Sequence, residues 1–308
     1  MIKGLDYLDS AKFEKKFPKD LKVKNINDNK LYIMVLVRLL LGQIKIQYRY
    51  NKFCYSGKID YSILPFKNYQ EDEKYIITES SINLIFDPSY DGSGKIKFRK
   101  KLINFLNNQR VNTNVIVPIL DEISLALLFF ENGNYSSSFI HFYRATENMT
   151  YLFPFIYVSQ QTSYKGTYDA LKDFFTKDNE LKMYQVLEDK IFAGEVTQDL
   201  DMDLKFNVGY EEMDYLINKV FCSTYFPKIP FDYDNNLGLI KCKFRNMFNF
   251  IISLRNKTFH MLEGTQRAYI PCDKVDFEEI YAGVLPACFN WFTSVYFKIL
   301  SKIFEITD

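Results

Sequence analysis

"VIVPILDEISLALLFFENGNYSSSFIHFYRATENMTYLF", residues 115–153, settles how this chain of 308 residues is read. Its first half is apolar at helical spacing. "NGN" then interrupts with the residue types that break helices and turn chains, and the second half resumes a helical period behind a run of serines suited to N-capping. The pattern predicts two helices joined by a short connection, the second ending near Pro154, because proline cannot donate to a helical ladder and clashes with the preceding turn.

Outward from this hairpin the composition sets bounds. With 47% hydrophobic and 17% aromatic residues the chain can build a core without disulfides. Lys plus Arg number 39 against 38 Asp plus Glu, so there is no global basic field to attract nucleic acid or an anionic membrane, and any such contact must be local. Cys54, Cys222, Cys242, Cys272 and Cys288 form no Cys-x-x-Cys pair, and two histidines cannot complete a zinc set with them, so the thiols are expected in the core within a reducing compartment. The N-terminus "MIKGLDYLDSAKFEKKFPKD" lacks the apolar run of a signal peptide, and "LYIMVLVRLLLG" (31–42) is broken by Arg38 and too short for a bilayer. A cytoplasmic location is expected.

Residues 1–110 read as a smaller α+β region. "QIKIQYRY" (43–50) alternates at period two, 31–41 leans to a buried strand, "YIITESSINLIFD" (75–87) is a further strand, and "KIKFRKKLINFLNN" follows as strand then helix. Residues 111–308 read as mainly α. Within an insertion at about 160–240, "TYDALKDFFTKDNELKMYQVLEDKIF" and "YEEMDYLINKVF" are helical and "EVTQDLDMDLKF" is an acidic loop. The last helix, "DFEEIYAGVLPACFNWFTSVYFKILSKIF" (276–304), should be kinked or divided by Pro286.

One of the two histidines lies in "LRNKTFH" (254–260). At 100° per residue, Phe244, Phe248, Ile251, Phe259 and Leu262 form an apolar stripe, and Arg255 falls about 20° from its centre. His260 lies about 140° around the helix, on a polar ridge with Asn249, Ser253 and Asn256. A guanidinium within an apolar stripe needs a partner, since an unpaired buried charge is strongly destabilising. Glu147 shares a face with Ile140, Tyr143 and Tyr151 in the hairpin's second helix, so an Arg255–Glu147 pair across the helix interface is expected.

These residues resemble a family. "LRNKTFH" is similar to the signature of HEPN domains (higher eukaryotes and prokaryotes nucleotide-binding): Arg, a polar residue, three to five residues, His. "FFENGNYSSSFIHFYRATENM" resembles their first helical hairpin, with a glutamate on its second helix. The likeness spans residues 115–305, interrupted at 160–240, and leaves 1–110 unassigned. It implies a HEPN-like helical bundle that dimerises so that two motif helices face each other, forming a metal-independent endoribonuclease site. His260 would handle protons, Arg255 would hold the scissile phosphate or its transition-state charge, and Asn256 would orient the phosphate or the imidazole. Glu147 would support Arg255. No cofactor is implied. RNA is the implied substrate, and antiviral defence or toxin action the implied setting. The N-terminal region would respond to a regulatory protein or nucleotide trigger.

Other chemistry lacks its parts. There is no Gly-x-x-x-x-Gly-Lys-Ser/Thr loop, no Gly-x-Ser-x-Gly elbow and no His-Glu-x-x-His helix. Lys95, Lys97, Arg99, Lys100 and Lys101 surround Phe98 and could track an RNA backbone, although a solvated edge explains them as well. His141 and Arg144 are expected on an exposed helix face, off the Tyr143/Glu147 stripe. The alternative to the nuclease is a non-catalytic HEPN-like scaffold serving as a binding subunit of a larger complex.

Overall fold

The computed structural model describes residues 5–9, 44–48, 53–56, 113–159, 161–175, 180–192, 196–221, 229–234, 238–259 and 276–305, together with Val35, Leu36, Leu39 and Leu40. Near the N-terminus, β1 (Leu5–Asp9), β2 (Ile44–Tyr48) and β3 (Phe53–Ser56) form an antiparallel sheet in sequence order, with Tyr7 opposite Ile46 and Gln47 opposite Cys54. The alternation in "QIKIQYRY" thus yields a strand, as expected. The 31–41 run does not: Val35, Leu36, Leu39 and Leu40 are helical and buried. Spaced at i, i+1, i+4 and i+5, they occupy one arc of a helix, a geometry that a short apolar run does not distinguish from a strand by hydrophobicity alone. The strand expected at 75–87 and the strand–helix expected from Lys95 lie outside the described residues.

The rest is mainly α. The hairpin forms as α1 (Thr113–Glu131) and α2 (Tyr135–Ser159), joined through Gly133, whose φ of 72° lies in the left-handed region that glycine reaches without steric cost. The cap is Asn134 rather than a serine: its Oδ1 accepts from the Ser137 N–H at 3.1 Å. A second acceptor comes from far along the chain. Glu278 Oε2 accepts from the Tyr135 N–H at 2.6 Å and from the Ser136 N–H at 3.1 Å, satisfying donors a helix start leaves open and placing negative charge at the positive end of its dipole. α2 continues to Ser159 past Pro154, which lies inside it, correcting the expected end.

After α2 come α3 (Tyr164–Phe175) and α4 (Glu180–Ile191), two helices where the sequence was read as a single helical stretch. The acidic loop is not all loop. Its "DMDLK" is β4 (Asp201–Lys205), an alternating strand with Met202 and Leu204 buried between exposed polar residues. A short helix α5 (Tyr210–Tyr215) runs into a π-helical turn (Leu216–Phe221). β5 (Phe231–Asp234) and β6 (Leu239–Lys243) then complete an antiparallel sheet in the order β4-β6-β5, with Met202 opposite Cys242 and Leu204 opposite Ile240. A 3-10 turn (Phe244–Asn246) leads into α6 (Met247–Phe259), and the last helix is α7 (Phe277–Glu305).

α7 is a core helix, buried on nearly every side from Ile280 to Tyr296. It packs against α2, α4, α6 and β4. Pro286 does not divide it: Val284, Leu285, Ala287 and Cys288 around the proline are all buried, and their packing outweighs the roughly 3 kcal/mol that an interior proline costs an isolated helix. The buried thiols of Cys242 and Cys288 fit the expectation of core cysteines. No described helix is long and apolar enough to cross a membrane.

Two features of this core make predictions. A Cβ at Gly283 would lie 2.6 Å from Phe206 Cε1 and 2.9 Å from the Lys205 carbonyl oxygen, so α7 approaches the end of β4 only because position 283 has no side chain. Gly283→Ala is expected to destabilise the fold by about 1–3 kcal/mol, read as a lower urea midpoint. Second, Glu188 on α4 is buried, its Oε1 has no partner among the described residues, and burial, reinforced by Asp189, raises its pKa well above the ordinary carboxylate range. The folded protein keeps that proton where the unfolded chain loses it. Stability is therefore expected to fall as pH rises above about 4.5, the ordinary carboxyl value. Glu188→Gln should flatten the dependence and raise the urea midpoint at pH 8 more than at pH 5. Equal gains at both values would show that Glu188 stays charged.

Candidate functional site

The motif helix α6 is set by anchors at its start. Lys243 Nζ pairs with Asp201 Oδ1 at 2.6 Å, Arg245 Nη1 with Asp199 Oδ1 at 3.0 Å, and the Phe244 N–H donates to the Leu200 carbonyl at 2.8 Å, tying the helix entry to the β4 edge. Its apolar face is Met247, Phe248, Phe250, Ile251 and Leu254. Phe248 lies 3.9 Å from the Tyr184 ring and 5.9 Å from the Trp291 indole, centroid to centroid. This stripe is rotated from the expected one. Phe259 is 42% exposed and Arg255 half-buried, so the arginine borders the core rather than lying in it.

The Arg255–Glu147 pair does not form. Arg255 Cζ sits 4.9 Å from the centroid of the Tyr143 ring, and Nη1 donates to Asn256 Oδ1 at 2.9 Å. Among the described residues no carboxylate lies within ion-pairing distance of the guanidinium. The cause is the packing direction. Phe139 faces Phe259 at 6.4 Å between ring centroids, and one turn further along α2 Tyr143 faces Arg255, which lies one turn back along α6. The helices run antiparallel, so Glu147, another turn along α2, falls level with the Ile251 turn. A cation on an aromatic face is attracted by the ring quadrupole and keeps its edge N–H groups available. Arg255 and Asn256 are therefore brought together, and Tyr143 supplies the seat expected of Glu147.

His260 lies outside the described residues, as do Lys95, Lys97, Arg99, Lys100 and Lys101. The turn that delivers His260 is described. Thr258 Oγ1 donates to the Leu254 carbonyl at 2.9 Å, and the buried Tyr281 hydroxyl lies beside Thr258 without a well-formed hydrogen bond. Burial raises the Tyr281 pKa, with Thr258 opposing the shift and Glu278 adding to it, so the phenol stays protonated. The placement of Tyr281 beside Thr258 and Phe259 was invisible in the sequence, because it depends on how separate helices pack.

The second imidazole also departs from expectation. Arg144 is exposed, but His141 is half-buried, its Nδ1 2.7 Å from Glu122 Oε2 and its ring stacked on Phe129 at 5.3 Å with planes 10° apart. His141 clasps α1 to α2. On α2 it stands two residues from Tyr143, about 160° around the helix, and so away from Arg255.

No family model, curated protein or solved structure matches the chain. What its own structure defines is a mainly α protein with small antiparallel sheets, one of them against its last helix, and a half-buried arginine seated on a tyrosine. That seat should be measurable. In a double-mutant cycle of Tyr143→Leu and Arg255→Met, a coupling of about 0.5–1 kcal/mol in unfolding free energy is expected, the range for a partly exposed cation–π pair. Additive losses would show that the ring does not hold the guanidinium.

Proposed function

We propose that this protein is a HEPN-like, metal-independent endoribonuclease that works as a homodimer in the cytoplasm. The observation that carries the reading is the state of Arg255: its guanidinium is preorganised by Tyr143 and Asn256 and, among the described residues, is not neutralised by a carboxylate. A fully buried arginine is ordinarily paired with an acid, whereas a half-buried one can be held without it. One held on an aromatic face and a side-chain amide has donors left for an outside anion, and a phosphate suits the planar fork of a guanidinium. His260 follows five positions later, and an imidazole exchanges protons near neutrality.

The chemistry asks little more of the protein. RNA carries its nucleophile, the 2′-hydroxyl, beside the bond to be cut. In the proposed step the O2′–P bond forms as the P–O5′ bond breaks, leaving a 2′,3′-cyclic phosphate and a free 5′-hydroxyl. The imidazole of His260 accepts the 2′ proton, and the partner copy's imidazole, brought by the dimer, supplies the proton to the departing oxygen. Arg255 stabilises the added negative charge on the phosphorus oxygens, and Asn256, bonded to Nη1, fixes the guanidinium's direction. Residues 1–110 would carry the response to a protein or nucleotide trigger, in a defence or toxin setting.

The deciding measurement is cleavage of unstructured RNA in EDTA by the wild type, Arg255→Ala and His260→Ala, with circular dichroism as the folding control. Cleavage by the wild type and a loss of about 100-fold or more in each variant is expected. To cover a nuclease silent until triggered, the same three proteins are expressed in cells, where only the wild type should arrest growth. Equal behaviour of all three in both assays would leave a helical binding scaffold.

A further inference from the structure

We propose that Phe259 is a base-stacking platform, holding the nucleobase next to the phosphate bound by Arg255. The inference rests on the phosphate role proposed for Arg255 and adds a residue that selects substrate at the same site. Phe259 ends α6, 42% exposed, yet its ring is not loose. It lies 6.1 Å from the Tyr281 ring with planes 5° apart and 6.4 Å from Phe139 with planes 16° apart. Tyr281 and Phe139 are themselves stacked at 4.6 Å and buried. Two fixed rings thus set the plane of a third whose remaining surface faces solvent.

A singly exposed Phe is ordinary on a protein surface, and what sets Phe259 apart is the fixed plane of its ring. Here the organised surface stands one turn from the guanidinium. Arg255 and Phe259 are i and i+4 on one helix face, about 6 Å apart along the axis, within the span of a nucleotide's base and phosphate. The antiparallel contact with α2 seats both side chains in one ladder, Arg255 on Tyr143 and Phe259 beside Phe139. A base stacks on an aromatic face whatever its sequence, but only if it is unpaired, so the platform would admit flexible strands and exclude a duplex.

The test uses the full-length protein and a fluorescein-labelled 2′-O-methyl RNA of about eight nucleotides, which lacks the 2′-hydroxyl and is not cut. Anisotropy titrations compare the wild type with Phe259→Leu, Phe259→Trp and Arg255→Ala, each with the intact strand and with strands carrying one abasic position in turn. Phe259→Leu is expected to weaken binding roughly 5- to 100-fold, and Phe259→Trp to restore it. One abasic position should weaken the wild type while leaving Phe259→Leu unchanged, a non-additivity that a merely structural phenylalanine would not produce. If Arg255→Ala weakens binding and Phe259→Leu does not, or if the abasic and Leu losses add, the platform is wrong and the phosphate seat survives. If nothing binds, or Arg255→Ala binds as the wild type does, the phosphate seat fails and the platform fails with it.

Discussion

The burial of α7 on nearly every side from Ile280 to Tyr296 is the constraint on which the rest depends. A helix with apolar residues all round has to be enclosed, and here α2, α4, α6 and β4 do the enclosing. The close approach at Gly283 brings β4 onto α7 through Phe206, and the carboxylate of Glu278 closes the start of α2. α2 and α6 are each fixed against the same helix, so their contact with one another follows from it. The Arg255–Tyr143 and Phe259–Phe139 ladder is that contact, and the candidate site is a by-product of how α7 is wrapped.

The ladder also explains why an arginine tolerates a place at the core's edge. A carboxylate partner would have satisfied its charge and occupied its edge donors. The Tyr143 ring compensates part of the charge through its quadrupole without using the edge donors. Asn256 takes one of those donors and leaves the others. The polar groups elsewhere in the core are a different matter. Glu188, Tyr184 and Trp291 each keep a buried polar atom without a partner among the described residues, and Glu188 responds by holding its proton. That is an internal cost to stability rather than a surface available for chemistry.

The corrections share a cause. The pair expected between Arg255 and Glu147 came from faces of single helices, and a face says which residues look inward but not which turn of the neighbour they meet. Antiparallel packing decided that, setting Tyr143 opposite Arg255 and sliding Glu147 past it. His141 shows the same limit: its place off one stripe suggested exposure, whereas α1 covers that side with Glu122 and Phe129. β4 was hidden for a local reason, since "DMDLK" alternates over too few residues to stand out from an acidic loop until β6 offers it a ladder.

By itself the sequence determined the helical hairpin, its break at Asn132–Asn134, the helical character of the stretch that follows, and the adjacency of Arg255 and Asn256 on one helix. Periodicity and capping act between residues near in the chain, so they can be read there. Only the tertiary structure decided the helical state of Val35, Leu36, Leu39 and Leu40, the continuity of α7 through Pro286, and the seating of Arg255 and Phe259 on rings from α2 and α7. Those outcomes depend on contacts between different elements, such as Arg255 with Tyr143 and Phe259 with Phe139 and Tyr281, whose register is fixed when the helices pack.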